Sequence, residues 1–149
     1  MRASSLIAAH VSYKKHILDG LKDYGLKAKH PRILYYVSKH EGCQQKDIAE
    51  YCYLESATLS TVLANMEKRG LIERRAQDND RRAYSIYPKE EARPVYDAVV
   101  RQFEETERIA FEGFSAEEKK QMQDYLRRIE ENIRNSKRWS AVCPKNMRD

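Results

Sequence analysis

Residues 43–88 decide the fold. They run Cys43-Gln-Gln-Lys-Asp-Ile-Ala-Glu-Tyr-Cys52, a short break, then Ser56-Ala-Thr-Leu-Ser-Thr-Val-Leu-Ala-Asn-Met-Glu-Lys-Arg-Gly70 and Leu71-Ile-Glu-Arg-Arg75. The polar turn Gln77-Asp-Asn-Asp-Arg-Arg82 follows, and Ala83-Tyr-Ser-Ile-Tyr87 returns before Pro88. In the first segment Ile48, Ala49 and Cys52 share one helical face. In the second, Leu59, Val62, Leu63 and Met66 do the same, and Gly70 stands where a helix would stop. The two flanks of the charged turn read as a two-stranded ribbon. Helix, tight turn, helix and arginine-tipped ribbon is the layout of a winged helix-turn-helix.

Working outward, each side of this module carries further helices. Leu6, Ile7, Val11, Ile17, Leu18 and Leu21 recur at helical spacing. They predict a first helix from about Ser4 to Tyr24, capped by Ser4 or Ser5 and closed at Gly25. Pro31 suits the first turn of a second helix, whose apolar face is Ile33, Leu34, Tyr36 and Val37 and whose end is Gly42. After Pro88, a stripe of Val95, Ala98, Val99, Phe103, Thr106, Ile109 and Ala110 marks a long helix. Ser115-Ala-Glu-Glu118 has capping-box form and opens a final helix, with Met122, Tyr125, Leu126, Ile129 and Ile133 expected to face inward. The expected organisation is an N-terminal dimerisation helix (1–29), a winged helix-turn-helix (30–88), C-terminal dimerisation helices (89–136) and a mobile tail (137–149). The fold class is mostly α with a small β-wing.

Composition agrees with long helices whose cores are completed by a second copy. The chain has 149 residues, 34 % of them charged and 41 % hydrophobic, and its mean hydropathy of −0.84 is low for a closed globule. A formal charge of +5 favours a polyanionic partner without requiring one. No apolar run reaches membrane-spanning length, and three cysteines without repeated spacing do not form a disulfide framework, so a cytoplasmic protein is expected.

A helix-turn-helix places the start of its second helix in the DNA major groove. Ser56, Thr58, Ser60 and Thr61 are suited to phosphates or base edges, and Ala57 to a thymine methyl. Gln45 is placed to anchor a phosphate. Arg81 and Arg82, at the ribbon tip, can enter the minor groove, with Asp80 holding Arg82 by an ion pair. Arg74 and Arg75 are expected at phosphates. Glycine-rich nucleotide loops, nucleophile–base pairs and metal-ligand spacings are missing from the sequence, so an enzyme, a metal site or a cofactor is not expected. A winged-helix module docking an acidic protein partner is the competing reading.

With these residues in view, the chain resembles the MarR family of bacterial transcriptional regulators. The matching stretches are Pro31-Arg-Ile-Leu34, Gln45-Lys-Asp-Ile-Ala49, Ala57-Thr58, Met66-Glu-Lys-Arg-Gly-Leu-Ile-Glu-Arg-Arg75 and Asp80-Arg-Arg82. The resemblance implies a homodimer on a pseudo-palindromic operator, acting as a repressor, less often an activator, whose binding a ligand or oxidant commonly relieves. The usual Pro before the wing Asp is absent here, Tyr87-Pro-Lys-Glu-Glu-Ala92 replaces the usual Leu-Thr-x-x-Gly, and Glu55 precedes the recognition helix.

For the sensor, the resemblance implies a small aromatic or phenolic effector, with Tyr13, His16, Arg32 and Tyr36 as lining candidates. A cysteine-based redox sensor is the alternative. The first helix has no cysteine; Cys43 and Cys52 are expected to be structural, and Cys143 lies in the tail. His10, His16, His30 and His40 lack the spacing and the fifth-helix histidine that a zinc sensor would need.

Overall fold

The structure is a computed structural model that describes residues 3–77 and 80–136, with side chains described over 5–76 and 84–136. In chain order come α1 (Ala3–Gly20), a 3-10 turn (Lys22–Tyr24), α2 (His30–Lys39), β1 (Cys43–Gln44), α3 (Gln45–Cys52) and α4 (Ser56–Lys68). Strands β2 (Ile72–Gln77) and β3 (Asp80–Pro88), a second 3-10 turn (Glu90–Ala92), α5 (Arg93–Ala110) and α6 (Ala116–Arg134) complete it. The fold is mostly α with a small antiparallel sheet, a winged helix-turn-helix between terminal helices.

Local chemistry accounts for most boundaries. Pro31 lies in the first turn of α2. Gly25 (φ 60°) and Gly70 (φ 69°) take the left-handed conformation at the ends of the first 3-10 turn and of α4. At Gly70 the backbone N–H groups of Gly70 and Leu71 return to the carbonyls of Glu67 and Met66, turning the chain into β2. Ser115 and Glu118 form the expected capping box of α6: Glu118 N–H donates to Ser115 Oγ at 3.1 Å, and Ser115 N–H to Glu118 Oε2 at 2.8 Å. A second box, not anticipated from sequence, opens α3, where Gln44 N–H donates to Asp47 Oδ2 at 2.9 Å.

Three expectations are corrected. Helix α1 already includes Ala3, so Ser4 and Ser5 lie within its first turn and not at the position before it; it stops at Gly20 and continues to Tyr24 only as a 3-10 turn. The ribbon is three-stranded, in the order β1-β3-β2, because Cys43 and Gln44 pair with Ile86 and Ser85. The third correction concerns α6, which buries none of its residues: Tyr125, Leu126 and Ile133 are 50 %, 45 % and 51 % exposed. Its stripe does not face inward within one chain.

The core lies in the middle of the sequence. Ile33, Leu34 and Val37 of α2, Ile48 of α3, and Leu59, Leu63 and Met66 of α4 are fully buried, joined by Ile72, Ile86 and Val99. Val62 packs only partly on this core, and Ile109 and Ala110 at the end of α5 are exposed. Tyr96 is buried although the sequence stripe omits it; its hydroxyl donates to the Leu71 carbonyl at 3.0 Å, fastening α5 to the start of the wing. Helix α1 reaches the core through Ile17 and, half-buried, Tyr13, with Leu21 following just past its end; it packs on α5 where Gly20 leaves room for Gln102: a Cβ at Gly20 would sit 2.1 Å from the Gln102 side chain.

Candidate nucleic-acid interface

Helix α4 is held from behind by Leu59, Leu63 and Met66, and presents Ser56, Ala57, Ser60 and Thr61 to solvent, with Thr58 half-buried. The turn leading into it contains Tyr53, the one described non-glycine residue with positive φ (53°). Tyr53 ends α3 in a left-handed conformation, so three residues suffice to redirect the chain. Glu55 then precedes α4 as its N-cap, with its carboxylate exposed and not bonded to the helix.

Gln45 does not project freely. Its Nε2 donates to Ser60 Oγ at 2.6 Å and to the Ser56 carbonyl at 3.3 Å, bridging the start of α3 to the exposed face of α4. Thr61 donates its hydroxyl proton to the Ala57 carbonyl one turn earlier, at 3.2 Å. In the wing, Arg74 is mostly buried with its Nε 3.5 Å from Glu67 Oε2, an ion pair without hydrogen-bond geometry. Arg75 forks onto Glu73, with Nε at 2.8 Å, and lies 4.2 Å over the Tyr87 ring. Both arginines are therefore engaged within the chain. Asp80, Arg81 and Arg82 open β3, which pairs with β2 through Gln77 opposite Asp80; their side chains lie outside the described residues.

The four effector candidates separate. Tyr36 stacks on His40 (centroids 4.3 Å apart) and on Tyr51 (4.6 Å), and Arg32 lies 5.0 Å over the Tyr51 ring and 5.4 Å over Tyr53. Arg32 also donates to the Tyr51 carbonyl at 2.6 Å. Tyr13 belongs to the same neighbourhood: burial first, then Glu107, Tyr35 and Tyr51, raise its phenol pKa. His16 turns away, its Nδ1 2.9 Å from the Thr106 hydroxyl on α5. The sequence does not single out Tyr51 and Tyr53, which join this group only through the packing of α2 against the end of α3.

Thiol chemistry is disfavoured at both described cysteines. Burial pushes the thiols of Cys43 and Cys52 up to about 11, which disfavours the thiolate that oxidation requires. Cys143 lies outside the described residues. Among the described residues no three His, Cys, Asp or Glu side chains gather in a metal-binding group, and no described helix is long and apolar enough to cross a membrane.

A helix-turn-helix with an exposed hydroxylated second helix, a short antiparallel wing and long flanking helices defines a winged-helix fold. Comparison with known proteins specifies which. Residues 24–83 match the sequence model of the MarR family. Over 128 residues, 86 % of this chain and 84 % of the other, the sequence is 26 % identical to the uncharacterized HTH-type transcriptional regulator YybA of Bacillus subtilis (strain 168). The fold matches a MarR family transcriptional regulator from Listeria monocytogenes complexed with 26mer DNA, with a TM-score of 0.78, 22 % identity and 89 % of each chain covered. It also matches MepR of S. aureus in a DNA complex, with a TM-score of 0.78, 24 % identity, and 89 % of this chain and 98 % of that one covered. The chain thus carries the MarR family's sequence pattern over its winged helix-turn-helix, and over 89 % of its length it has the fold of these two proteins.

Proposed function

We propose that this chain is a transcriptional regulator of the MarR type, a cytoplasmic homodimer that binds a pseudo-palindromic DNA operator and represses transcription until a small aromatic or phenolic ligand relieves it. The observation that carries the DNA-binding reading is α4, whose Leu59, Leu63 and Met66 are fully buried while Ser56, Ala57, Ser60 and Thr61 stand exposed at its N-terminal half. That half-helix enters the major groove, Thr58 supports it, and the β2–β3 wing brings Arg81 and Arg82 toward the neighbouring minor groove. Asp80 orients Arg82. Arg74 and Arg75 meet phosphates by exchanging Glu67 and Glu73 for the DNA backbone. The domain division at residues 29/30, 88/89 and 136/137 follows the same reading, with the terminal helices joining the two copies.

Dimerisation is supported by the apolar surface those helices leave uncovered. Leu6, Ile7 and Val11 on α1, Ile109 on α5, and Tyr125, Leu126 and Ile133 on α6 are all exposed in the single chain. A second copy covering them places two α4 helices on one face of a duplex. For the effector, Arg32, Tyr36 and Tyr13 around Tyr51 form the aromatic, cationic neighbourhood that an anionic ring would recognise, with His16 on the adjacent turn of α1.

Fluorescence anisotropy of the full chain with the duplex upstream of its own gene, at two salt concentrations and against a scrambled duplex, tests the reading. Preferential binding that weakens steeply with salt is expected. Equal, weak binding to both duplexes would favour a winged-helix module that docks on a protein instead.

A further inference from the structure

Two neighbouring hydroxyls on α4 are committed to opposite hydrogen-bond roles before any DNA arrives. A hydroxyl has one proton and two lone pairs, so an intramolecular bond that takes the proton leaves only acceptor character outside, and one that takes a lone pair leaves the proton available beside the second lone pair. Gln45 fixes the first case. Its amide end facing α4 meets the Ser56 carbonyl at 3.3 Å, and a carbonyl only accepts, so that end is the NH2 group. The same nitrogen is 2.6 Å from Ser60 Oγ, so Ser60 accepts from Gln45. Among the described residues the Ser60 proton has no acceptor, and the side chain is exposed. Thr61 is the reverse: its proton goes to the Ala57 carbonyl, which leaves its lone pairs outward.

We propose that Ser60 and Thr61 are specificity-determining residues of opposite polarity, with Gln45 as the positioning residue that sets Ser60. Ser60 donates to an acceptor on a base edge in the major groove: a purine N7, guanine O6 or thymine O4. Thr61 accepts from an exocyclic amino group, adenine N6 or cytosine N4. This inference rests on the DNA-binding reading above and narrows it. It also gives Gln45 a different task from a phosphate anchor: the amide acts through Ser60, so it changes which base pair is preferred and not only how tightly any duplex is held.

The test is selection of binding sites from a randomised duplex library by the full-length protein and its variants, followed by titration of single-base-pair changes. Ser60→Ala is expected to flatten the preference at one base pair by on the order of tenfold while leaving the others in place. Thr61→Val is expected to flatten a different position, one that selects an amino-bearing edge. Gln45→Glu is the decisive variant. A carboxylate accepts, so it draws the Ser60 proton inward and turns the lone pairs to the DNA; the preference at Ser60's base pair then switches to an amino-bearing edge, on top of a uniform weakening from the added charge. Should that variant fold poorly by circular dichroism, Gln45→Leu serves in its place, and both kinds of edge become tolerated at the same position. Unchanged preferences in Ser60→Ala, or a Gln45 variant that weakens all duplexes equally without altering selection, would overturn the proposal. A wild-type protein that selects no sequence at all would remove the operator-binding reading together with this one.

Discussion

Leu63 and Leu126 are both leucines on amphipathic helices, yet one is fully buried and the other 45 % exposed. The contrast holds for their whole regions. In the winged module α2, α3 and α4 close around a core continued by Ile72 and Ile86 of the wing, whereas α6 has the same helical periodicity and buries no residue. Periodicity records that a face is destined for burial and is silent on whether the covering surface comes from the same chain. The core forms where α2, α3 and α4 meet and borrows Tyr96 and Val99 from α5, whereas the stripe of α6 stays uncovered within one chain.

That difference is easiest to break at α6. Leu126→Asp combined with Ile129→Asp should yield monomers whose operator affinity falls roughly a hundredfold or more, because two half-sites are no longer held together. The circular dichroism of the module should survive. Sedimentation velocity and anisotropy read the two effects separately, and a fully active dimer carrying both aspartates would place the interface elsewhere.

Inside the module the corresponding change acts on folding itself. Leu63→Ala removes a fully buried side chain and should cost about 2–5 kcal/mol in urea unfolding, in contrast to a near-neutral Leu126→Ala measured on the monomeric background.

His30 adds a pH-dependent difference. Buried at the start of α2, its Nδ1 receives Lys27 N–H and Arg69 Nη1, each at 3.3 Å, so the ring is neutral. Burial first, then Arg69 and Lys27, lower its pKa to about 4. The unfolded chain binds a proton near pH 6.5 that the folded chain refuses. Stability from this group is therefore complete above about 6.5 and is lost as the pH falls toward 4, by up to about 3 kcal/mol. Urea unfolding at pH 7.5 and 4.5 should show that loss, and His30→Asn should reduce it; equal slopes in both proteins would assign the effect to carboxylates.

The smallest effect belongs to the cap of α6. Ser115→Ala removes the acceptor for Glu118 N–H and should cost about 1 kcal/mol, read as an earlier loss of α6 amide protection in hydrogen exchange with the module unaffected.

Much of this architecture is legible from residues whose chemistry is local. Pro31, Gly25, Gly70 and the Ser115–Glu118 box announce their elements because each acts within a turn of its own position. Strand β1 escapes notice because it is two residues long, too short for alternation, and exists only by pairing with Ile86 and Ser85 some forty positions later. Tyr96 escapes the apolar stripe because a phenol counts as amphipathic until its hydroxyl is seen to reach Leu71. The positions of Ser56, Ala57, Ser60 and Thr61 on the outer face follow from helical spacing. The bonds of Gln45, Arg74 and Arg75 do not, since each depends on where a second element packs. Tyr51 and Tyr53 gather with Arg32 and Tyr36 for the same reason, across α2 and the end of α3.

Covering of the terminal helices by a second copy is the proposal on which two-site DNA binding depends most directly. Sedimentation equilibrium of the full chain over a hundredfold concentration range measures it. A single species of twice the 17.6 kDa chain mass, persisting at the lowest concentration, is the predicted result. A species of 17.6 kDa throughout, still binding one duplex selectively, would contradict it.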